Sequence, residues 1–169
     1  MTYVDNRGVK IHYEVEGKGQ PILQYHGAFQ RVESWTDSGF VDAFKGSYKL
    51  IMMDVRGHGL SDKPHKPEAY RMKLLVSDAV AVLDDLSYDK AHFLGFSSGG
   101  YVGFGIMRYA PHRFNSLIIG GAQPFDEEME LDARRIDNWL NLFKLKQHGR
   151  KPDDGLHASG HASGDELRS

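Results

Sequence analysis

The chain has 169 residues, enough for one domain with a hydrophobic core and short for two. Its 40% apolar and 26% charged side chains match ordinary globular protein, and a net charge of −2 supplies no basic field for nucleic acid or anionic lipid. The absence of cysteine excludes disulfides, a thiol nucleophile and thiolate metal sites. No apolar run approaches the ~20 residues of a membrane span, and Met1-Thr2-Tyr3-Val4-Asp5 carries no basic-then-apolar signal segment, so a cytoplasmic protein is expected.

In chain order, residues 9–15 alternate apolar and polar side chains, the mark of a half-buried strand. A turn follows at Lys18-Gly19-Gln20-Pro21. Residues 22–25, 49–53, 91–96 and 116–119 are short apolar runs ending at His26, Asp54, Ser97 and Gly120. Continuous apolarity suits strands covered on both faces, as in a parallel sheet. Between them, Met72, Leu75, Val76, Ala79, Val80 and Leu83 recur at helical spacing, and residues 98–109 form a second helix that stops before Pro111. A last helix is expected from Asp126, a candidate N-cap, with Met129, Ala133, Ile136, Leu140 and Phe143 on one stripe. Strand alternating with helix predicts an α/β fold with a mostly parallel sheet and helices on both faces. Residues 1–145 read as its core. Residues 146–169 are a polar Gly/Ser/His tail with the repeat His157-Ala158-Ser159-Gly160, His161-Ala162-Ser163-Gly164, too poor in apolar surface to offset its ordering entropy, and are expected to be flexible.

The strongest chemical signal is Gly95-Phe96-Ser97-Ser98-Gly99-Gly100, a G-x-S-x-G pattern with an apolar strand before it and a helix after it. In that setting Ser97 is the candidate nucleophile, and the glycines remove side chains that would clash in a tight turn. A bare G-x-S-x-G also occurs by chance as a turn; the strand and helix around this one favour the functional reading. His26-Gly27-Ala28 ends another strand. The backbone amides of Ala28 and Ser98 are the expected oxyanion hole, and Phe29 and Phe96 the expected substrate-binding side chains. The His26 imidazole reads as structural.

His26-Gly27, then Asp54-Val55-Arg56-Gly57-His58-Gly59-Leu60-Ser61, then the Ser97 pattern, in this order, resemble the N-terminal half of an α/β-hydrolase, in the esterase, haloperoxidase-like and C–C-bond hydrolase branch. The resemblance covers about residues 3 to 145 and makes the fold a truncated α/β-hydrolase fold. It implies a serine hydrolase without metal or organic cofactor, and it makes residues 54–61, His58 included, a scaffold loop. Family members are longer, and their triad acid and histidine lie in the part with no counterpart here.

A serine hydroxyl still needs a base. His157 or His161 is the candidate by chain order, against a reading of both as solvated tail residues. Asp126 is the candidate acid, against a reading as a helix N-cap with Glu127 and Glu128. The expected activity is hydrolysis of short-chain or activated aryl esters through a Ser97 acyl-enzyme. The alternatives are a catalytically silent truncated remnant and an oligomeric binding module. Residues 116–119 end the expected sheet with an uncovered edge, so a homo-oligomer is expected through it.

Overall fold

The computed structural model describes residues 2–124, which fall within one compact unit, Met1–Phe125. The expected domain boundary at 145, the tail, the Asp126 helix and the candidates Asp126, His157 and His161 lie outside the described residues.

Six strands form one sheet: β1 (Thr2–Asn6), β2 (Val9–Gly17), β3 (Gln20–Tyr25), β4 (Tyr48–Met53), β5 (Ala91–Phe96) and β6 (Phe114–Gly120), in the order β1-β2-β4-β3-β5-β6. The β1–β2 and β2–β4 pairs are antiparallel; β4, β3, β5 and β6 run parallel. Short helices α1 (Glu33–Asp37) and α2 (Phe40–Phe44) lie between β3 and β4, α3 (Met72–Asp85) between β4 and β5, and α4 (Ser98–Tyr109) between β5 and β6.

The apolar residues of the inner strands divide between two cores. Leu23, Tyr25, Ile51, Met53 and Phe93 pack with Val76, Ala79, Leu83, Val102 and Ile106 of α3 and α4. Ile22, Leu50 and Met52 pack with Val32 and Val41 on the α1–α2 side. Helices on both faces explain why these strands are apolar without alternation. Among the described residues no helix is long and apolar enough to cross a membrane.

Three local features depart from the sequence reading. Strand β1 was not expected; it pairs with β2 through a two-residue turn in which Arg7 (φ 57°) and Gly8 (φ 80°) are both left-handed, as a hairpin turn of primed type requires. Strand β2 does not simply alternate, because Ile11, His12 and Tyr13 are all buried. The loop after β4 runs on along the β2 edge, where Ser61 Oγ accepts the His12 N–H at 2.8 Å and the Asp62 N–H reaches Lys10 O at 2.9 Å, and it holds the His12 ring through Asp54. Helices α1 and α2 have five residues each, too few for a helical period to show in sequence.

Candidate active site

From neighbouring strands β3 and β5 the chain leaves in opposite directions, β3 through α1–α2 to β4 on one side and β5 through α4 to β6 on the other. Such a divergence opens a crevice at the strands' C-terminal ends, the usual place for a ligand in an open α/β sheet. Ser97 and the His26–Gln30 loop sit at its two sides.

Ser97 joins β5 to α4 with φ 53° and ψ −115°, a conformation that L residues rarely adopt and that costs about 1–3 kcal/mol. Its N–H donates to Gly120 O at 2.8 Å, and its carbonyl accepts the Tyr101 N–H at 3.2 Å. The flanking glycines are imposed by contact. A Cβ on Gly95 would strike the Gly99 carbonyl, and one on Gly99 would strike the Tyr25 carbonyl at the end of β3. No side chain caps α4, so the Ser98 amide belongs to a first turn without a partner inside the helix.

Gly27 lies directly against this elbow. A Cβ there would be 3.3 Å from Ser97 Cβ and 3.4 Å from Phe96 Cδ1. The expected oxyanion residues Ala28 and Ser98 are half-buried, on the two elements that meet at Ser97. Of the expected substrate-binding rings, Phe96, next to Ser97 in the chain, is 48% exposed, and Phe29, two residues after Gly27, is 59% exposed.

The histidines of the described residues are occupied elsewhere or lie away from Ser97. His26 Nδ1–H donates to Gly27 O at 2.8 Å and Nε2 accepts the Val55 N–H at 3.1 Å, which fixes a neutral ring. His58 packs edge-on against it, ring centroids 5.4 Å apart. His12 Nδ1 donates to Asp54 Oδ2 at 2.8 Å. His92 pairs with Ser116 Oγ at the far end of β5, His65 is an exposed loop residue, and His112 is exposed in the 3-10 turn Pro111–Arg113.

Asp54 ties three segments together: Oδ1 accepts the Val32 N–H, and Oδ2 accepts the Leu60 N–H and His12. The loop from Asp54 to Ser61 is thereby fixed to β2 and to the start of α1. Sequence reasoning missed what anchors it from below. Arg56 donates to both carboxylate oxygens of Asp78 on α3, at 2.6 and 2.5 Å, and to Ala69 O at 2.6 Å, while Asn6 Nδ2 donates to Asp78 Oδ1 at 2.7 Å. An Asp, beside Ser77, inside an apolar stretch of helix was the signal. It missed Gln30 also, whose Oε1 accepts the Gly27 N–H.

Two buried groups, His26 and Asp54, set a pH response. Burial, reinforced by His58, lowers the pKa of His26 below its ordinary 6.5, against the opposing pull of the Gly27 carbonyl and Asp54. The unfolded chain therefore binds this proton more readily, and stability falls as pH drops below 6.5 toward the lowered value. Burial alone would raise Asp54, but the Leu60 and Val32 amides and His12 hold it below its ordinary 3.8, so its contribution is lost only on acidification below 3.8. The urea midpoint is expected to decline from pH 7 to pH 5, and His26→Asn to flatten that decline. A wild-type midpoint constant over this range would contradict the assignment.

A mostly parallel α/β sheet with a serine elbow at its switch point and an amide-bearing loop against it defines the class. The sequence profile described as the alpha/beta hydrolase fold matches residues 20–159, and the chain belongs to that family. It is 31% identical over 118 residues to epoxide hydrolase 4 of Mus musculus, covering 69% of this chain and 32% of that protein. It is 41% identical over 113 residues to 3-oxoadipate enol-lactonase 2 of Acinetobacter baylyi, covering 66% of this chain and 41% of the relative. Among solved structures, an N-acyl homoserine lactone degrading enzyme superposes with TM-score 0.67 at 32% identity, covering 84% of this chain and 54% of that one. A hydrolase from Pseudomonas aeruginosa superposes with TM-score 0.72 at 23% identity, covering 87% and 55%. The chain thus spans about a third of the length of the epoxide hydrolases it matches.

Proposed function

We propose that the chain is a serine hydrolase of carboxylic esters. The observation that carries this reading is the identity of the elbow residue. A serine alkoxide that attacks an acyl carbon forms an ester, which water can cleave. The same alkoxide opening an epoxide would form an ether, which water does not cleave at neutral pH. Ser97 therefore favours acyl substrates over the epoxides named for the mouse relative. The lactonase relatives extend the range to lactones, which are cyclic esters.

In the proposed reaction Ser97 Oγ bonds to the acyl carbon, its proton passes to a base, and the alcohol leaves with a proton. Water then repeats the attack and frees the acid. The Ala28 and Ser98 amides hold the oxyanion, and Phe29 and Phe96 form an apolar lining for short acyl or activated aryl groups. A fluorophosphonate is expected to label the chain, with the adduct mapped to Ser97. An adduct on another serine, or none, would overturn the reading.

The base is proposed as His157 or His161, with Asp126 as the acid. Support comes from His26, both of whose ring nitrogens are engaged, and from His12, which is committed to Asp54. The double variant His157→Ala/His161→Ala is expected to slow p-nitrophenyl butyrate hydrolysis by about 10²-fold or more. An unchanged rate would return the role to another histidine.

We propose a second copy as the chain's protein partner. Strand β6, at the sheet edge among the described residues, has seven residues with no charge and no proline, and Ile118 on it is 54% exposed. The other edge strand, β1, is shorter and carries Asp5, one of the devices that blunt an edge. Two-fold antiparallel pairing of β6 needs no partner chemistry beyond its own. Sedimentation is expected to give twice 19.0 kDa and Ile118→Lys to restore the monomer; a 19.0 kDa wild-type particle would refute the pairing.

A further inference from the structure

We infer that Gln30 is the positioning residue of the oxyanion loop, holding the turn that presents the Ala28 amide to the substrate carbonyl. This rests on the reading of Ser97 as nucleophile.

Gly27 to Gln30 form a four-residue turn closed by the Gln30 N–H on Gly27 O at 3.2 Å. Its third residue, Phe29, has φ 62°, at the place in a turn where a positive φ normally calls for glycine. A phenylalanine does not keep this conformation by its own preference, so surrounding contacts must impose it. Two side chains clamp Gly27, the first residue of this turn. His26 Nδ1–H donates to Gly27 O at 2.8 Å, and Gln30 Oε1 accepts the Gly27 N–H at 2.8 Å. His26 is itself anchored by the Val55 N–H on Nε2.

The clamp stands beside the chemistry. The point where a Gly27 Cβ would sit is 2.9 Å from Gln30 Oε1 and 3.3 Å from Ser97 Cβ. With both polar groups of Gly27 engaged, the next amide along the turn, that of Ala28, is the one left for a substrate oxygen. No described group accepts it. Without the Gln30 acceptor, the Gly27 N–H loses its partner, the turn loosens at its first residue, and the Ala28 peptide plane rotates. Oxyanion donors act on charge that develops in the transition state, so the loss falls on kcat rather than KM.

The test uses the full chain with Gln30→Met, which keeps length without the acceptor, and Gln30→Glu, which keeps the acceptor. For Gln30→Met, kcat on p-nitrophenyl butyrate is expected to fall about 10- to 100-fold, with KM within about twofold. Affinity for a trifluoromethyl ketone, which forms an oxyanion on the serine, should fall in step with kcat. Amide exchange at Gly27 should accelerate. Gln30→Glu should keep Gly27 protected and stay closer to wild type in rate. A Gln30→Met protein with wild-type kcat, inhibitor affinity and Gly27 exchange would overturn the inference, as would a loss confined to thermal stability. If the wild type neither hydrolyses the ester nor binds the ketone, the Ser97 reading fails. Gly27 exchange then still decides the clamp: faster in Gln30→Met supports it, unchanged refutes it.

Discussion

Ser97→Ala is expected to abolish fluorophosphonate labelling and to lower p-nitrophenyl ester hydrolysis by about 10³-fold or more, since the oxyanion amides alone retain only residual catalysis. The variant should fold normally. The bonds that hold residue 97 are both backbone bonds, its N–H to Gly120 O and its carbonyl to the Tyr101 N–H, and both survive the change. Ser97→Gly separates strain from chemistry. At φ 53° and ψ −115° any Cβ is strained, so glycine releases about 1–3 kcal/mol and forfeits about 0.5–1 kcal/mol to the greater freedom of the unfolded chain. The net is a more stable and inactive protein, by about 1 kcal/mol in urea titration. Equal stability of the two variants would limit the strain stored at the elbow to the about 0.5–1 kcal/mol that glycine forfeits. Activity that persists in either would remove Ser97 from the mechanism.

How much of this was legible in sequence depends on the distance over which each residue acts. The elbow was legible because its constraints are local. Gly95, Ser97 and Gly99 must follow one another at two-residue intervals for one turn to close, and the strand before and helix after them carry their own patterns. The parallel sheet was legible for a related reason: burial on both faces leaves inner strands no polar alternation to display. The β1 hairpin was missed because Arg7, not a residue favoured in left-handed turns, occupies one of the two positive-φ positions. The support beneath the Asp54 loop was missed because it is tertiary. Arg56 and Asp78 are 22 residues apart, and Asn6 and Asp78 72 apart. Nothing at either position reports the other until α3 is laid against the sheet. Gln30 is a middle case. It acts across only three residues, but a Gln three after a glycine has no meaning until Phe29 is known to be left-handed.

The missed ion pair carries the largest expected stability effect. Asp78 is fully buried and Arg56 is 2% exposed, so neither charge has water to fall back on. Asp78→Ala removes both carboxylate contacts of the guanidinium and leaves it with only the Ala69 carbonyl, while Asn6 Nδ2 loses one of its two acceptors. Breaking one side of such a pair costs about 3–5 kcal/mol, a large part of the ~5–15 kcal/mol that holds a domain folded. The cost comes from stranding the buried charge rather than from losing a strong attraction. Arg56→Met/Asp78→Leu, which removes both charges and keeps volume, should therefore recover most of the stability lost in Asp78→Ala. The damage should also reach the site. Arg56 anchors the loop whose Asp54 holds the Val32 N–H at the end of the segment that carries Ala28. The double variant is accordingly expected to fold while keeping reduced kcat on p-nitrophenyl butyrate, because its apolar pair restores burial without the fork that orients the loop. Urea titration of Asp78→Ala within about 1 kcal/mol of wild type would show that water reaches the pair in solution. A double variant with full activity would confine Arg56 to a stabilising role.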